Sequence, residues 1–86
     1  MNEKLFQTSD LPTAAFLLSS PTIAFKGIVS KNTKTKLFLF EPEQNARKIA
    51  FEFINGKAMV NARLFSDSMR IAKDLVFGAL RQDQER

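Results

Sequence analysis

Cysteine and histidine are absent from this 86-residue sequence, and so are tryptophan and tyrosine. Without thiols or imidazoles the chain cannot form disulfides, zinc-finger or iron–sulfur sites, or Ser-His and Cys-His catalytic arrangements. Glycine occurs only three times, and no glycine-rich phosphate loop is present. The carboxylates show no spacing typical of a catalytic pair or of a magnesium or calcium site. We therefore expect a protein that is not an enzyme and that needs no metal or cofactor.

Long apolar runs are also missing, since none approaches the roughly 20 residues of a membrane-spanning helix. The N-terminal stretch lacks the basic and then apolar layout of a signal sequence. We expect a cytoplasmic protein without a membrane partner. With 44% hydrophobic and 26% charged residues, the composition is that of a globular chain. Its length predicts a single domain over residues 1–86 with a frayed tail at 82–86.

The strongest local pattern is a β-hairpin between Thr22 and Glu41. Two runs rich in β-branched and aromatic residues, 22–31 and 34–41, flank the polar pair Asn32-Thr33, which is the spacing of a tight turn. Pairing Lys31 with Lys34 across that turn predicts three further pairs: Phe25–Phe40, Gly27–Phe38 and Val29–Lys36. This register assigns the phenylalanine rings to the core, although they could stack on nucleic-acid bases if that face were open. The opposite face then carries Ile28, Leu37 and Leu39.

Helical patterns surround the hairpin. After a short strand within residues 4–8, in which Phe6 is expected to enter the core, Thr8 or Ser9 is predicted to cap a first helix. Its apolar stripe is Leu11, Ala14, Ala15 and Leu18. A second helix begins at Glu43 and ends at Asn55-Gly56, and Asn61 is predicted to cap the last helix. The predicted fold is α+β, a small antiparallel sheet centred on the hairpin with three helices mainly on one face, in the order β-α-β-β-α-α.

Four lysines lie within eleven residues of the hairpin with no acidic residue between them: Lys26, Lys31, Lys34 and Lys36. A cluster of this kind is typical of a surface that binds a polyanion through salt-dependent phosphate contacts. The first hypothesis is therefore nucleic-acid binding, to DNA or RNA, through a lysine-rich hairpin. The same lysines would equally prevent edge-to-edge association of sheets, which is the alternative explanation for their presence.

The last helix does not strengthen the nucleic-acid hypothesis. Arg63, Asp67, Arg70 and Asp74 recur at spacings of three or four, which predicts a ladder of exposed ion pairs along its polar face. Arginines that are engaged in such pairs are poorly suited to read bases in a DNA groove.

The apolar arc of the last helix is wide for so small a domain, and this predicts self-association, most simply as a homodimer. The competing hypothesis for function is consequently a protein-interaction or assembly adaptor. Its contact residues would come from the second sheet face, from the second helix and from a ridge of the last helix: Ile28, Leu37, Leu39, Phe51, Leu64, Ile71 and Leu75.

Two motifs are similar to those of a small family known only as a domain of unknown function. They are the start F-x-T-x-D-L-x-x-A-A-x-x-L, from Phe6 to Leu18, and the strand F-x-F-E that ends at Glu41. Gly27 and the Val60-Asn61 pair that leads the final helix also resemble that family. The resemblance spans nearly the full chain and implies a compact domain of one helix, a hairpin and two helices in a prokaryotic or viral setting. It implies no activity.

Overall fold

The computed structural model describes residues 4–84, which form three strands and three helices in the order β-α-β-β-α-α. The strands are β1 (Phe6–Thr8), β2 (Ala24–Ser30) and β3 (Lys36–Glu41), and the helices are α1 (Leu11–Leu18), α2 (Glu43–Ile54) and α3 (Ala62–Gln84). The sheet is antiparallel with the strand order β1-β3-β2. The predicted α+β class and element order are confirmed. Of the tail predicted to fray, 82–84 belong to α3, and 85–86 lie outside the described residues.

The hairpin register follows the prediction only at the open end of the hairpin. Phe25 pairs with Phe40 as predicted, but a β-bulge between Phe25 and Gly27 shifts the rest of β2 by one residue. Gly27 has a φ of +121°, a conformation that residues with a Cβ rarely adopt, so glycine is what permits the bulge here. The remaining observed pairs replace the predicted ones: Gly27–Leu39, Ile28–Phe38, Val29–Leu37 and Ser30–Lys36.

The bulge changes which face Ile28 belongs to. Ile28 was assigned to the face opposite Phe38, but it pairs with Phe38 and packs against the core. Val29 was assigned to the core face and is instead 44% exposed beside Leu37. Both assignments are wrong for the same reason, because one extra residue in a strand exchanges the faces of everything that follows it.

The two hairpin strands are joined by a five-residue loop at residues 31–35, not by the predicted two-residue turn. The favoured two-residue hairpin turns require a positive φ, and no non-glycine residue of the described chain has one. The side-chain oxygen of Asn32 closes the loop instead, since it accepts hydrogen bonds from the backbone N–H groups of Lys34 (2.9 Å) and Thr35 (2.8 Å). The Lys31 N–H donates to the Thr35 carbonyl at 2.9 Å.

Helix α1 is capped by Asp10, which corrects the expectation of Thr8 or Ser9. The Asp10 carboxylate accepts hydrogen bonds from the N–H (3.1 Å) and the hydroxyl (2.6 Å) of Thr13. Thr8 supports the cap, because its hydroxyl accepts from the Asp10 N–H at 3.1 Å. With Leu11 as the first helical residue, Asp10 is the side chain placed to reach the N–H of the third helical residue, Thr13.

The other helix termini agree with the sequence pattern. Gly56 follows the end of α2 with a φ of +73°, the left-handed conformation expected of a terminating glycine. Asn61 precedes α3, and its side-chain oxygen accepts a hydrogen bond from the Leu64 N–H at 2.9 Å.

The core lies between the three helices and one face of the sheet. Its buried cluster takes residues from every helix, from β3 and from the segment just before β2: Ala14, Leu17, Ile23, Phe38, Phe40, Ala46, Ala50 and Ala72. Half of these are alanines, which let the helices approach one another and the sheet closely. Phe53 connects the three helices, since its ring stacks on Phe16 at a centroid distance of 4.7 Å and lies 5.8 Å from Phe65. Within residues 4–84, the opposite face of the sheet carries none of the buried side chains.

Candidate interaction surfaces

The hairpin loop presents two of the four predicted lysines. Lys31 and Lys34 are exposed on the loop that Asn32 closes. Neither forms an ion pair with an acidic side chain of the described residues. These two ammonium groups are therefore available to an anionic partner.

Lys36 does not lie on that surface. It is only 5% exposed, and its Nζ donates a hydrogen bond to the Ser30 hydroxyl at 2.6 Å. Side chains alternate along a strand, so Lys36 points to the same side of β3 as Phe38 and Phe40. The bulge in β2 changes only the cross-strand partner of Lys36, which lies opposite Ser30 instead of the predicted Val29.

Lys26 lies at the bulge, toward the open end of the hairpin, and it forms an ion pair. Its Nζ is 3.5 Å from a carboxylate oxygen of Glu41, and its side chain is half exposed. A partly exposed pair of this kind contributes little to stability, yet it neutralises the lysine locally. The structure thus divides the predicted cluster into a loop pair, a buried lysine and an ion-paired lysine.

The predicted charge ladder is present along the first half of α3. Arg63 lies 3.9 Å from Asp67, and Arg70 lies 3.8 Å from the same carboxylate. The third predicted pair, between Arg70 and Asp74, does not form, and Asp74 has no ion pair within the described residues. Asp74 is consequently an exposed acidic side chain with no local partner.

The outer sheet face, defined here as Val29, Leu37 and Leu39, is the uncovered side of the sheet. Leu37 and Leu39 project from the central strand away from the buried rings and are partly exposed, and Val29 pairs with Leu37. An antiparallel sheet covered on one side usually carries polar residues on the other. Three aliphatic side chains in this position form an apolar surface that the folded chain leaves in contact with water.

A second apolar surface is an open groove of about 350 Å³ between β2 and α3. We call it the β2–α3 groove, and it is lined by Phe25, Gly27, Ile28, Asp74, Leu75, Gly78 and Ala79. Helix α3 packs mainly against α1 and makes few contacts with β2, which leaves this gap at the edge of the sheet. Asp74 is the single charged residue of the lining.

The two glycines account for the width of the groove. At both Gly27 and Gly78, no atom lies within 4 Å of the point that a Cβ would occupy. Gly27 is required by its backbone conformation, but Gly78 lies inside α3, where glycine costs about 1 kcal/mol relative to alanine. Packing within the described chain gives no reason for a glycine at position 78. This groove was not predicted from the sequence, although a glycine inside a long helical pattern was the available signal.

Helix α2 carries a third surface, which we call the α2 ridge. It consists of two apolar residues, Phe51 and Ile54, with Lys48 beside them. Phe51 and Ile54 are each 66% exposed, and they lie three residues apart on neighbouring turns. Lys48 precedes Phe51 by three residues, is exposed and forms no ion pair within the described residues. Its neighbour Arg47, in contrast, is bound to Glu43.

The residues predicted to form one protein-interaction surface are distributed over several places. Leu37 and Leu39 lie on the outer sheet face, Ile28 and Leu75 line the β2–α3 groove, and Phe51 lies on the α2 ridge. Leu64 and Ile71, about half exposed, lie on the α3 flank that leads to the groove.

Within residues 4–84, no three His, Cys, Asp or Glu side chains come together in a way that could hold a metal ion. Among the helices described, none combines the length and the apolar character that crossing a bilayer requires. Lys36 and Ser68 are polar residues of the interior, and no buried side-chain N or O atom in the described part of the chain lacks a hydrogen-bond partner.

Comparison with known proteins returns no match of any kind: no protein-family model, no curated protein and no solved structure resembles the chain significantly. The resemblance to a domain of unknown function therefore stays a prediction. The arguments for function rest on the surfaces alone.

Proposed function

We propose that this chain is a non-enzymatic protein-interaction module that forms a homodimer through its outer sheet face. The observation that carries the proposal is the uncovered aliphatic face of the sheet. Val29 is 44% exposed, and Leu37 and Leu39 are partly exposed on the side opposite the buried rings. An exposed apolar surface of this kind is a common site of protein association.

The outer sheet face is suited to contact a second copy. It is aliphatic at its centre, and a two-fold axis through it would pack Leu37 and Leu39 against their own copies, as two sheets pack in a sandwich. The charged pair of Lys26 and Glu41 lies at its border, where it can remain in water. Removing these leucines from water supplies the free energy of association.

Replacing Leu39 by glutamate is expected to dissociate the dimer. The contact would then contain a carboxylate without a partner in each copy, and we expect the dissociation constant to rise by about 100-fold or more. Light scattering after gel filtration over a range of protein concentrations measures this change. The matched control is Met59→Glu, which adds the same charge at a residue 96% exposed and away from the sheet. A wild-type chain that stays monomeric at high concentration, or a dimer that survives Leu39→Glu, would contradict the proposal.

A second candidate function is nucleic-acid binding through the hairpin loop. The observation that favours it is the exposure of Lys31 and Lys34 on a loop with no acidic side chain in ion-pair contact with them. Two ammonium groups held by a closed loop can contact neighbouring phosphates, and the net charge of +4 favours approach to a polyanion. Lys26 and Lys36 play no part in this version of the hypothesis, because one is ion-paired and the other is buried.

If the loop binds nucleic acid, the double variant Lys31→Gln/Lys34→Gln is expected to bind more weakly and with less salt dependence. Two lost phosphate contacts would reduce the slope of log affinity against log salt by about 1.8 on duplex DNA. Fluorescence anisotropy with labelled single-stranded DNA, duplex DNA and RNA measures both quantities. Lys48→Gln/Lys73→Gln removes the same charge elsewhere and serves as the control. Equal loss in the two double variants would indicate general attraction only, and the loop would not be a binding site.

A further inference from the structure

We propose that the β2–α3 groove of one copy receives the α2 ridge of another copy, so that the chain carries a head-to-tail contact in addition to the outer sheet face. The inference rests on the proposed function, because it names a second contact of the same interaction module. It commits to a second copy as the occupant, since the two surfaces complement each other in polarity and charge.

The apolar parts of the two surfaces match in kind and size. The ridge offers one aromatic and one aliphatic side chain, Phe51 and Ile54, both largely exposed. The groove offers about 350 Å³ between Phe25, Ile28 and Leu75. A protruding pair of apolar side chains entering an apolar groove is the usual arrangement when a helix docks on a partner. In the isolated chain, both surfaces remain in contact with water.

The charges also match. Asp74 is the single charged residue that lines the groove, and Lys48 flanks Phe51 on the ridge. Neither forms an ion pair within the described residues of its own chain. Docking the ridge into the groove brings a lysine toward an aspartate that α3 itself leaves uncompensated, and this pairing favours one orientation of the helix.

Gly78 supplies the room for the docked helix. The fold of the single chain does not need a glycine there, since nothing lies within 4 Å of the position of a Cβ. A helix packed against α3 at this point needs the space, because a glycine allows the close approach of another backbone or of a large ring. The docked ridge thus gives a reason for a residue that the folded monomer leaves unexplained.

The position of the two surfaces decides the kind of assembly. Helix α2 packs toward β1, and α3 packs toward β2, which are the opposite edges of the sheet, with α1 between the two helices. A contact that joins different surfaces from opposite edges is heterologous. It builds a ring or an open chain of copies, whereas the contact through the outer sheet face closes after two.

Mixing two complementary variants tests the contact directly, both made in the Leu39→Glu background so that the outer sheet face cannot associate. Gly78→Leu fills the groove and leaves the ridge intact, and it suits a helix interior where no atom obstructs the new side chain. Phe51→Glu disables the ridge and leaves the groove intact. Each variant alone is expected to be monomeric, while an equimolar mixture forms a heterodimer of twice the monomer mass and nothing larger. Circular dichroism and thermal unfolding of each variant confirm that both remain folded.

The result that would overturn the inference is a mixture that stays monomeric although both variants are folded. Self-association of either variant as strong as that of the Leu39→Glu parent would overturn it as well. If the parent itself is monomeric at every concentration while the wild-type chain is a dimer, the head-to-tail contact is absent and the proposed dimer stands. If the parent and the wild-type chain form the same concentration-dependent oligomers, Leu39 lies outside every contact, so the dimer through the outer sheet face fails and the head-to-tail contact stands.

A charge exchange identifies the pairing within the contact. In the same background, Lys48→Asp and Asp74→Lys are each expected to weaken head-to-tail association by about tenfold, because each places like charges together. The chain that carries both substitutions is expected to recover most of the affinity, and sedimentation velocity measures all three. Additive loss in the double variant would overturn the assignment of Lys48 to Asp74.

Discussion

Replacing Phe38 by alanine is expected to remove a large part of the stability of the domain. Phe38 is fully buried on the central strand, it contacts Phe25 at a centroid distance of 6.3 Å, and it pairs with Ile28. Truncating a buried phenylalanine typically costs about 3–5 kcal/mol. A chain of this length has a free energy of unfolding of only about 4–13 kcal/mol. Chemical denaturation monitored by circular dichroism measures the loss.

The matched control for this prediction is Phe77→Ala. It makes the same chemical change at a ring that is 60% exposed on α3, and its effect on the free energy of unfolding is expected to stay within about 0.5 kcal/mol. Similar losses at the two positions would show that the sheet face carrying Phe38 is not the core of the protein.

The second large effect is expected at Leu17. This side chain is fully buried against the core cluster, whereas its neighbour Leu18 is only partly buried. Leu17→Ala is expected to destabilise the domain by about 2–5 kcal/mol, because it leaves a cavity between α1 and the sheet. Leu18→Ala is expected to cost less than half as much, and the same denaturation experiment compares the two.

Comparing these two variants tests the buried face of α1 in the structure against the face predicted from the sequence. The helical stripe predicted Leu18 as the core leucine of α1, and the structure selects Leu17. A larger loss at Leu18 than at Leu17 would restore the predicted face and contradict the observed one.

The order of elements could be read from the chain because it depends on local signals. Periodic apolar residues, Asn61 before α3 and Gly56 after α2 act within one or two helical turns, and each has the predicted role. Such signals locate a helix end only to within one or two residues. The cap of α1 was predicted at Thr8 or Ser9, and the structure has it at Asp10.

The candidate surfaces were predicted less well, because they depend on register. One bulge at Gly27 moved Ile28 into the core, moved Val29 out of it, and shifted the pairing of Lys36. The four lysines lie close together in the sequence, but the fold places them in three different environments. The β2–α3 groove was not predicted at all, since it joins β2 to residues of α3 nearly fifty positions later.

What the sequence determined by itself was the set of elements, their order and most of their ends, because hydrophobic period, capping and the left-handed preference of glycine act over a few residues. What only the tertiary structure decided was the hairpin register beyond Phe25, the burial of Lys36 and the opening beside Gly78. These features depend on how α1 and α3 pack against the sheet and on the register of the strands. A bulge of one residue is enough to exchange the two faces of a strand.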